Sequence, residues 1–260
     1  MVKNEKYAVV TGASSGIGLA FARVLAGKGY ALVMVSNEDE ALKARAAEIA
    51  SEFAVDALPL TVDLGRLEAP REVYQFCRER SLEVEYLVNN AGVYHDRDFL
   101  EDSEAFNSLI LVLHVHTPAM LEYYFAKDMA ERAKGYIINI SSVTSDFGAQ
   151  RMATYSATKG FVRLFSRSTH IELRGKGVNV CCVRPGAVAT TLYNLSPAAM
   201  KAGLFFGYII RPESLARKAV RAVERGRGQI TPGFYTKLLD VAVGLLPTCA
   251  LRLIRRLRIF

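Results

Sequence analysis

Six short apolar runs recur along the chain, and each is bounded by glycine, amide or charged residues. They are YAVVT (7–11), ALVMV (31–35), ALPLTV (57–62), EYLVN (85–89), GYIINI (135–140) and VNVCCV (178–183). Segments with helical spacing separate them, and a last short run, GQITP (228–232), follows one more helical segment. Apolar strands that alternate with helices are typical of a parallel sheet covered on both faces. The pattern predicts a single, doubly wound α/β domain with a mainly parallel, seven-stranded sheet.

Charge is distributed unevenly along the 260 residues. The formal net charge is +7, and residues 211–260 alone hold eleven Lys or Arg against three Asp or Glu. Near the C-terminus, Ala250, Leu253, Ile254 and Leu257 share one helical face, and four arginines cover the other. Such a basic amphipathic helix is typical of contact with an anionic membrane, although packing on the body or on a neighbouring subunit also fits. Because no base-stacking aromatic residues interleave with the basic groups, nucleic-acid binding is not expected.

The cysteines and histidines do not form a metal-binding pattern. The four cysteines contain no C-x-x-C pair, and the four histidines cluster with neither cysteines nor paired carboxylates. This arrangement predicts buried free thiols in a reducing compartment and no metal site. The first six residues lack an apolar stretch, so no secretory signal is expected. The predicted location is the cytoplasm, with the basic tail as a candidate membrane contact.

A glycine-rich loop, TGASSGIG (11–18), follows the first predicted strand and opens a helix. Gly12, Gly16 and Gly18 let the backbone turn tightly and approach a pyrophosphate, and the helix N-terminus offers N–H groups. The spacing is G-x-x-x-G-x-G instead of the common G-x-G-x-x-G. An ordinary strand–helix turn would also fit this loop, so it predicts a dinucleotide site only in combination with other motifs.

Tyr155 and Lys159 are spaced as Y-x-x-x-K, which places both side chains on one face of a helix. A lysine ammonium beside a phenol stabilises the phenolate, so the phenol can give and take a proton near neutral pH. Ser142, thirteen residues before Tyr155, offers a hydroxyl that can polarise the same substrate oxygen. Alone, the Y-x-x-x-K spacing also fits an exposed surface helix. With the glycine loop, these groups predict hydride transfer between a nicotinamide and a ketone or secondary alcohol.

Five motifs follow one another in order: TGASSGIG, NNAG (89–92), NISS (139–142), YSATK (155–159) and RPGAVATT (184–191). In this order they resemble the short-chain dehydrogenase/reductase family over residues 6–195. The resemblance implies a three-layer Rossmann fold within residues 1–235, an NAD(P)(H)-dependent oxidoreductase and a homo-oligomer, either a dimer or a tetramer. It implies cofactor contacts at Gly12, Ser14, Ser15, Gly16, Ile17, Gly18, Ser36, Asn37, Asp63, Leu64, Asn89, Ala91, Gly92, Tyr155, Lys159, Pro185, Gly186, Val188 and Thr190.

One of these implied contacts, Asp63, has an alternative role. Asp63 ends the third predicted strand, where it would contact the adenine together with Leu64 or else cap the following helix. The resemblance places Asn89 and Ala91 near the adenosine ribose, and it gives Asn90 the role of bracing the sheet.

One position departs from the family pattern. Members usually carry a catalytic Asn that holds a water next to the lysine, and the corresponding position here is His114, 28 residues before Ser142. Since histidine donates, accepts and titrates near neutrality, our interpretation is that His114 serves the same proton relay. In one alternative His114 impairs the relay, and the chain is then a non-catalytic dinucleotide-binding regulatory or scaffold protein. In another it is a core histidine with satisfied hydrogen bonds.

The end of the second predicted strand bears on the choice of cofactor. An acid there would bind the ribose 2′-OH and repel a 2′-phosphate, but this chain has Ser36 followed by Asn37. The basic residues that the family often carries at the Asn37 and Ser15 positions are also missing. Glu38 follows, in a place where acids favour the first turn of a helix. These residues favour NADP(H) slightly over NAD(H).

The substrate side of the predicted site is apolar. Residues 193–210, within a predicted substrate lid at about 191–211, read YNLSPAAMKAGLFFGYII and carry one charge, at Lys201. This composition predicts an apolar substrate such as an acyl chain, a steroid-like ring system or another lipid ketone. A 3-oxoacyl-thioester is the alternative substrate, and a packed lid or an oligomer contact also fits the segment. Residues 236–260 form the predicted basic amphipathic tail.

Overall fold

The computed structural model describes residues 6–146, 151–190 and 196–238. The strands are β1 (Lys6–Thr11), β2 (Ala31–Ser36), β3 (Ala57–Thr61), β4 (Glu83–Asn89), β5 (Gly135–Ile140), β6 (Val178–Val183) and β7 (Gln229–Ile230). They form one sheet in the order β3-β2-β1-β4-β5-β6-β7, and each adjacent pair is parallel. The predicted fold class is therefore confirmed.

Helices cover both faces of the sheet. They are α1 (Gly16–Ala26), α2 (Asp39–Phe53), α3 (Ala69–Glu79), α4 (Glu104–Leu111), α5 (Thr117–Glu131), α6 (Ala153–Arg174), α7 (Pro197–Phe205) and α8 (Pro212–Glu224). A π-helical turn, Val112–His116, joins α4 to α5, and a 3-10 turn, Val143–Asp146, follows β5. Because helices cover both faces of the sheet, strand side chains are buried whichever face they point to, and this explains the mostly apolar strands.

Side chains of one strand alternate between the two layers of the core. In β1, Ala8 and Val10 pack with α1, α2 and α8, whereas Tyr7 and Val9 pack with α3 and α5. The order of the strands reverses at β1, which has β2 on one side and β4 on the other. In such sheets the connections after these strands leave on opposite faces and open a crevice at the carboxyl ends.

The predicted strand bounds need small corrections. Predicted strand 57–62 ends at Thr61, and predicted strand 228–232 is reduced to two residues, Gln229–Ile230. β3 contains Pro59, which is tolerated because β3 is an edge strand that pairs only with β2.

Three of the four cysteines lie within the described residues, whereas most of the predicted tail lies outside them. Cys77, Cys181 and Cys182 are buried free thiols, and burial raises the pKa of Cys181 to about 12. Among the residues that the structure describes, no His, Cys, Asp and Glu side chains are grouped to hold a metal ion. Cys249, the first lid residues 191–195 and tail residues 239–260 lie outside the described ranges.

The helical stretch Glu104–Glu131 is long and apolar enough to cross a membrane by length and composition. Half of its most apolar window is buried inside the protein. Leu121, Phe125 and Met129 from this stretch belong to the core beneath the sheet. In this fold the stretch therefore serves as a core helix.

A carboxylate is buried in the same layer. Glu122 on α5 is 1% exposed, and its Oε2 accepts a hydrogen bond of 2.7 Å from Asn139 Nδ2. Its other oxygen, Oε1, has no partner among the described residues. Burial raises the pKa of Glu122 to about 7, although the neighbouring polar groups of Thr169 and Asn139 oppose the shift.

This raised pKa makes stability depend on pH. The folded protein holds a proton on Glu122 that the unfolded chain releases at lower pH, so the contribution is full below the ordinary pKa and is lost as pH rises through about 7. Between pH values of about 5 and about 8, we expect the free energy of unfolding to fall by roughly 2 to 3 kcal/mol more in the wild type than in Glu122→Gln. Urea unfolding across this range measures it. The exposed Glu131→Gln on the same helix is the control, and equal pH slopes in wild type and Glu122→Gln would contradict the prediction.

Candidate active site

A cleft of about 550 Å³ opens at the carboxyl ends of the strands. Every residue predicted to contact a cofactor lines this cleft, except Gly18 and Asn89. The structure also adds wall residues that the motif analysis missed, namely Glu38, Val62, Asn90, Val93, Leu113, Ile140 and Ser141. Each of these lies within or next to a motif at the end of a strand or helix, so proximity to the motifs was the available signal.

The glycine loop forms one wall through its backbone. Gly12 and Gly16 have φ angles of 64° and 55°, in the left-handed region that favours glycine. A Cβ on Gly16 would lie 3.3 Å from Thr190 Cγ2, so the missing side chain keeps the cleft open. Ser15, which precedes α1, makes no side-chain cap, and the first N–H groups of this helix therefore remain available to an anion.

Gly18 supports the glycine loop but does not line the cleft. It lies on α1 against the Gly12 carbonyl, and a Cβ there would be 2.0 Å from the carbonyl oxygen. The glycine therefore permits the close packing of helix and loop and does not itself face the cleft.

Asn89, a predicted ribose contact, does not line the cleft. Asn89 is 7% exposed, and its Nδ2 donates to Asn139 Oδ1 at 2.8 Å, so it braces β4 against β5. Asn90 lines the cleft instead, while its Nδ2 donates to the Thr11 carbonyl at 2.9 Å. Asn90 therefore connects the end of β4 to β1, as expected of a residue that braces the sheet, and it also lines the cleft because alternate side chains of an extended segment point to opposite sides.

Hydroxyl and acidic groups line the far end of the cleft. Ser36 Oγ donates to Ser14 Oγ at 3.0 Å and accepts from the Glu38 N–H at 3.3 Å. Among the described residues of the cleft wall, the only Lys or Arg is Lys159. Asp63 also lines the wall, and its Oδ1 accepts from the Gly65 N–H at 2.9 Å. Asp63 therefore closes a turn and faces the cleft at the same time.

Ser142, Tyr155 and Lys159 meet at the opposite part of the cleft. Lys159 Nζ lies 5.6 Å from the centre of the Tyr155 ring and donates to the Ile140 carbonyl at 3.0 Å. Burial lowers the pKa of Lys159 to about 8, so its proton is exchangeable closer to neutrality. Ser142 Oγ accepts from the Thr144 N–H at 3.2 Å and from Thr144 Oγ1 at 3.0 Å. Its own hydrogen is therefore left to donate to a substrate oxygen.

His114 is held by hydrogen bonds on both ring nitrogens. Nε2 accepts from the Val93 N–H at 3.0 Å, and Nδ1 lies 3.1 Å from Thr158 Oγ1. Thr158 Oγ1 in turn donates to the Tyr155 carbonyl at 2.8 Å. Since Nε2 accepts, the proton of the neutral ring is on Nδ1 and points to Thr158. Burial, assisted by the charge of Lys159, lowers the pKa of His114 well below its ordinary value.

This geometry favours the core-histidine interpretation over the proton relay. We expect His114→Asn to lower the free energy of unfolding by about 1–3 kcal/mol, because a shorter side chain leaves a buried partner unpaired. We also expect the pH dependence of turnover to stay unchanged, since a neutral histidine does not titrate in the working range. Urea unfolding and a pH profile of kcat measure the two effects. An inflection near neutral pH that disappears in the variant would restore the relay.

The cleft fits a nicotinamide dinucleotide. Its volume lies within the range of small-molecule and cofactor sites. The glycine loop and the start of α1 would hold the pyrophosphate, Ser36 and Asn37 would face the adenosine ribose, and Val188 and Thr190 would flank the nicotinamide. Such a cofactor supplies the hydride when it is bound. Fold and cleft together are those of an α/β protein in which Ser142, Tyr155 and Lys159 line the same cleft as a glycine-rich loop.

Comparison with known proteins identifies the family. The family model described as short chain dehydrogenase matches residues 6–200. The chain is 34% identical over 196 residues to the very-long-chain 3-oxoacyl-CoA reductase of Anas platyrhynchos, which is 73% of this chain and 62% of that protein. It therefore spans less than two thirds of that relative's length.

Two solved structures extend the similarity to almost the whole fold. The bulky-bulky ketone specific alcohol dehydrogenase from Comamonas testosteroni is 28% identical, with a TM-score of 0.78 and 94% of each chain covered. A short-chain dehydrogenase from Sphingobium yanoikuyae in complex with NADPH is 27% identical, with a TM-score of 0.78, and the match covers 92% of this chain and 93% of that one. The chain belongs to the short-chain dehydrogenase family, and the predicted class of NAD(P)-dependent oxidoreductase is confirmed.

Proposed function

We propose that the protein interconverts a ketone and a secondary alcohol with NAD(P)(H). The observation that carries this proposal is the meeting of Ser142, Tyr155 and Lys159 in the same cleft as the glycine loop. In the reductive direction Tyr155 gives its phenolic proton to the carbonyl oxygen, and in the oxidative direction it removes that proton. Ser142 donates a hydrogen bond to the same oxygen and stabilises the charge that develops there. Lys159 favours the phenolate through its positive charge.

The substrate that we propose is apolar and bulky. The described part of the lid carries Phe205, Phe206 and Tyr208 with substantial exposure, and Ile209 is buried. These residues are not part of the cleft wall, but Ile210, which follows them, pairs with Val188 of that wall, so the lid offers apolar surface beside the cleft. The names of two similar proteins, a very-long-chain 3-oxoacyl-CoA reductase and a bulky-bulky ketone specific alcohol dehydrogenase, agree with this substrate class.

A long-chain 3-oxoacyl-thioester is the second candidate. It is favoured by the 34% identity to the Anas platyrhynchos reductase. Such a substrate has a reacting ketone two carbons from the thioester, so Ser142 and Tyr155 would act on it as on any ketone. The two candidates therefore differ in the groups outside the reacting centre.

We infer that NADP(H) is the preferred cofactor by a small margin. Ser36 and Asn37 offer a hydroxyl and an amide where an acid would repel a 2′-phosphate. Glu38 opposes this preference, because it lines the same end of the cleft. A measured preference for NAD(H) above about tenfold would overturn the inference.

Removing the charge of Glu38 should strengthen this preference. We expect Glu38→Gln to raise the affinity for NADPH relative to NADH by about threefold to fivefold, because a like charge near the 2′-phosphate is removed. Fluorescence titration with both cofactors gives the ratio. Glu40→Gln, in the first turn of α2 and outside the cleft wall, is the matched control. A ratio that changes equally in both variants would show that Glu38 does not face the ribose.

We propose a homo-oligomer, dimer or tetramer, in the cytoplasm, with a peripheral membrane contact through the tail. The outer surfaces of α4, α5 and α6 support the oligomer, since Leu111, Tyr123, Leu164 and Ile171 are each at least half exposed there. The composition of residues 250–258 supports the membrane contact.

The decisive experiment is a titration of the purified protein with NADPH and NADH, followed by absorbance of the nicotinamide during incubation with ketones. The panel contains a bulky apolar ketone, a long-chain 3-oxoacyl-CoA and a small polar ketone. Oxidation of a cofactor by the first two supports the proposal, and the faster one names the substrate class. Efficient turnover of the small polar ketone alone would refute the apolar substrate. Tight binding without turnover would favour the non-catalytic alternative.

A further inference from the structure

Six large apolar side chains are exposed on one surface, which we call the aromatic patch. Phe205 is 84% exposed and Phe234 is 76% exposed. The rings of Tyr208 and Tyr235 lie 4.5 Å apart and join the lid to the segment after β7. The members of the patch are Phe205, Phe206, Tyr208, Phe234, Tyr235 and Leu238. Exposed apolar surfaces of this kind mark contacts with a partner or a membrane.

The aromatic patch borders the catalytic part of the cleft. Ile210, two residues after Tyr208, pairs with Val188 of the cleft wall. Thr236, next to Tyr235, packs on Gly186 so closely that an added Cβ would lie 2.8 Å from its Oγ1. A molecule that contacts the patch would therefore lie beside the part of the cleft that Gly186 and Val188 line.

The charges within the two segments that carry the aromatic patch have one sign. Residues 196–211 and 232–238 contain Lys201, Arg211 and Lys237, all exposed, and no Asp or Glu. The sequence that continues from the patch, 239–260, adds four arginines and one aspartate. The segments that form the patch therefore combine exposed apolar side chains with basic ones and carry no acidic side chain.

This charge distinguishes the three occupants that an apolar face of this chain can have. A second copy in a symmetric contact would bring the same basic groups against one another, and the chain's own tail is basic as well. An anionic lipid surface has the opposite charge, and aromatic side chains with flanking Lys and Arg are typical of the membrane–water interface.

We propose that the aromatic patch docks on an anionic lipid surface and that the cleft takes its apolar substrate from that surface. The second part rests on the proposed function, because it needs a substrate that dissolves in lipid. Phe205 and Phe234 enter the interface between headgroups and acyl chains, while Lys201, Arg211 and Lys237 stay at the level of the headgroups.

Vesicle co-sedimentation of the full chain tests the docking. The probes are vesicles of phosphatidylcholine with and without phosphatidylserine. We expect binding to the anionic vesicles only, and a loss of about 100-fold or more in affinity in the double variant Phe234→Ser with Leu238→Ser, which removes two buried apolar side chains from the interface. The control, Leu67→Ser with Leu100→Ser, alters two exposed leucines outside the patch and should bind like wild type.

Other outcomes would overturn the proposal in recognisable ways. Equal binding to neutral vesicles would remove the charge argument. If the wild type does not bind vesicles and its dimer dissociates in the Phe234→Ser with Leu238→Ser variant, the patch would be assigned to contact with a second copy. If the wild type does not bind vesicles and the same double variant unfolds at a lower temperature, the patch would be assigned to contact with the chain's own tail. Vesicle binding without turnover of any ketone would leave the docking intact and refute the proposed function alone.

Discussion

Replacing Tyr155 with Phe should lower kcat by about a thousandfold and leave the affinity for NADPH within about threefold of wild type. The phenolic oxygen is the only group removed, and it is the proposed donor and acceptor of the substrate proton. The ring itself is packed edge-on against Tyr94 and His114, at centroid distances of 5.3 Å and 5.7 Å, and a phenylalanine ring keeps both contacts. Steady-state turnover of the best ketone and fluorescence titration with NADPH measure the two quantities.

The matched control is Tyr74→Phe. Tyr74 also has a partly buried ring with a hydrogen-bonded hydroxyl, 3.1 Å from Asp128 Oδ1, but it does not line the cleft. It should keep wild-type kcat, so a loss in both variants would point to general damage. Turnover within about tenfold of wild type in Tyr155→Phe would remove Tyr155 from the chemistry, because general acid–base catalysis contributes more than this.

The fold could be predicted from the sequence because its strands are buried on both faces. The run 31–35 is apolar throughout, and a parallel sheet with two helical layers buries it completely. The short strand Gln229–Ile230 and the end of β3 were less well predicted, since edge strands have fewer neighbours to impose a pattern.

The candidate site could be predicted where a motif determines the backbone conformation. It was less predictable where the orientation of individual side chains decides which residue faces the cleft. Tyr155 and Lys159 share a face by helical geometry alone. Asn89 and Asn90 have the same side chain, and which of them faces the cleft depends on how side chains alternate at the end of β4, where Asn89 pairs with Asn139 of β5. His114 could be located by its spacing from Ser142, but its partners, the Val93 N–H and Thr158, come from distant segments. Long-range packing of this kind leaves no local signal.

Replacing Gly18 with Ala should weaken the affinity for NADPH and NADH alike, by about 100-fold. A Cβ at this position would lie 2.0 Å from the Gly12 carbonyl oxygen and 2.7 Å from Asn90 Nδ2. Helix α1 and the glycine loop would have to separate, and a displacement of about 1 Å in a positioning element costs about two orders of magnitude. The overpacking should also lower the free energy of unfolding by about 1–3 kcal/mol.

Gly175→Ala is the matched control for the loss of a glycine. Gly175 ends α6 with φ of −67°, and, apart from its chain neighbours and the backbone of its own helix, no atom of the described residues lies within 4 Å of the position of an added Cβ. It should keep wild-type cofactor affinity. Urea unfolding of both variants separates a displaced loop from a misfolded chain, because a folded Gly18→Ala protein with weak binding locates the damage in the loop. If folded Gly18→Ala binds NADPH like wild type, the contact between α1 and Gly12 does not shape the pyrophosphate site, and the cofactor is held mainly by the opposite wall at Val188 and Thr190.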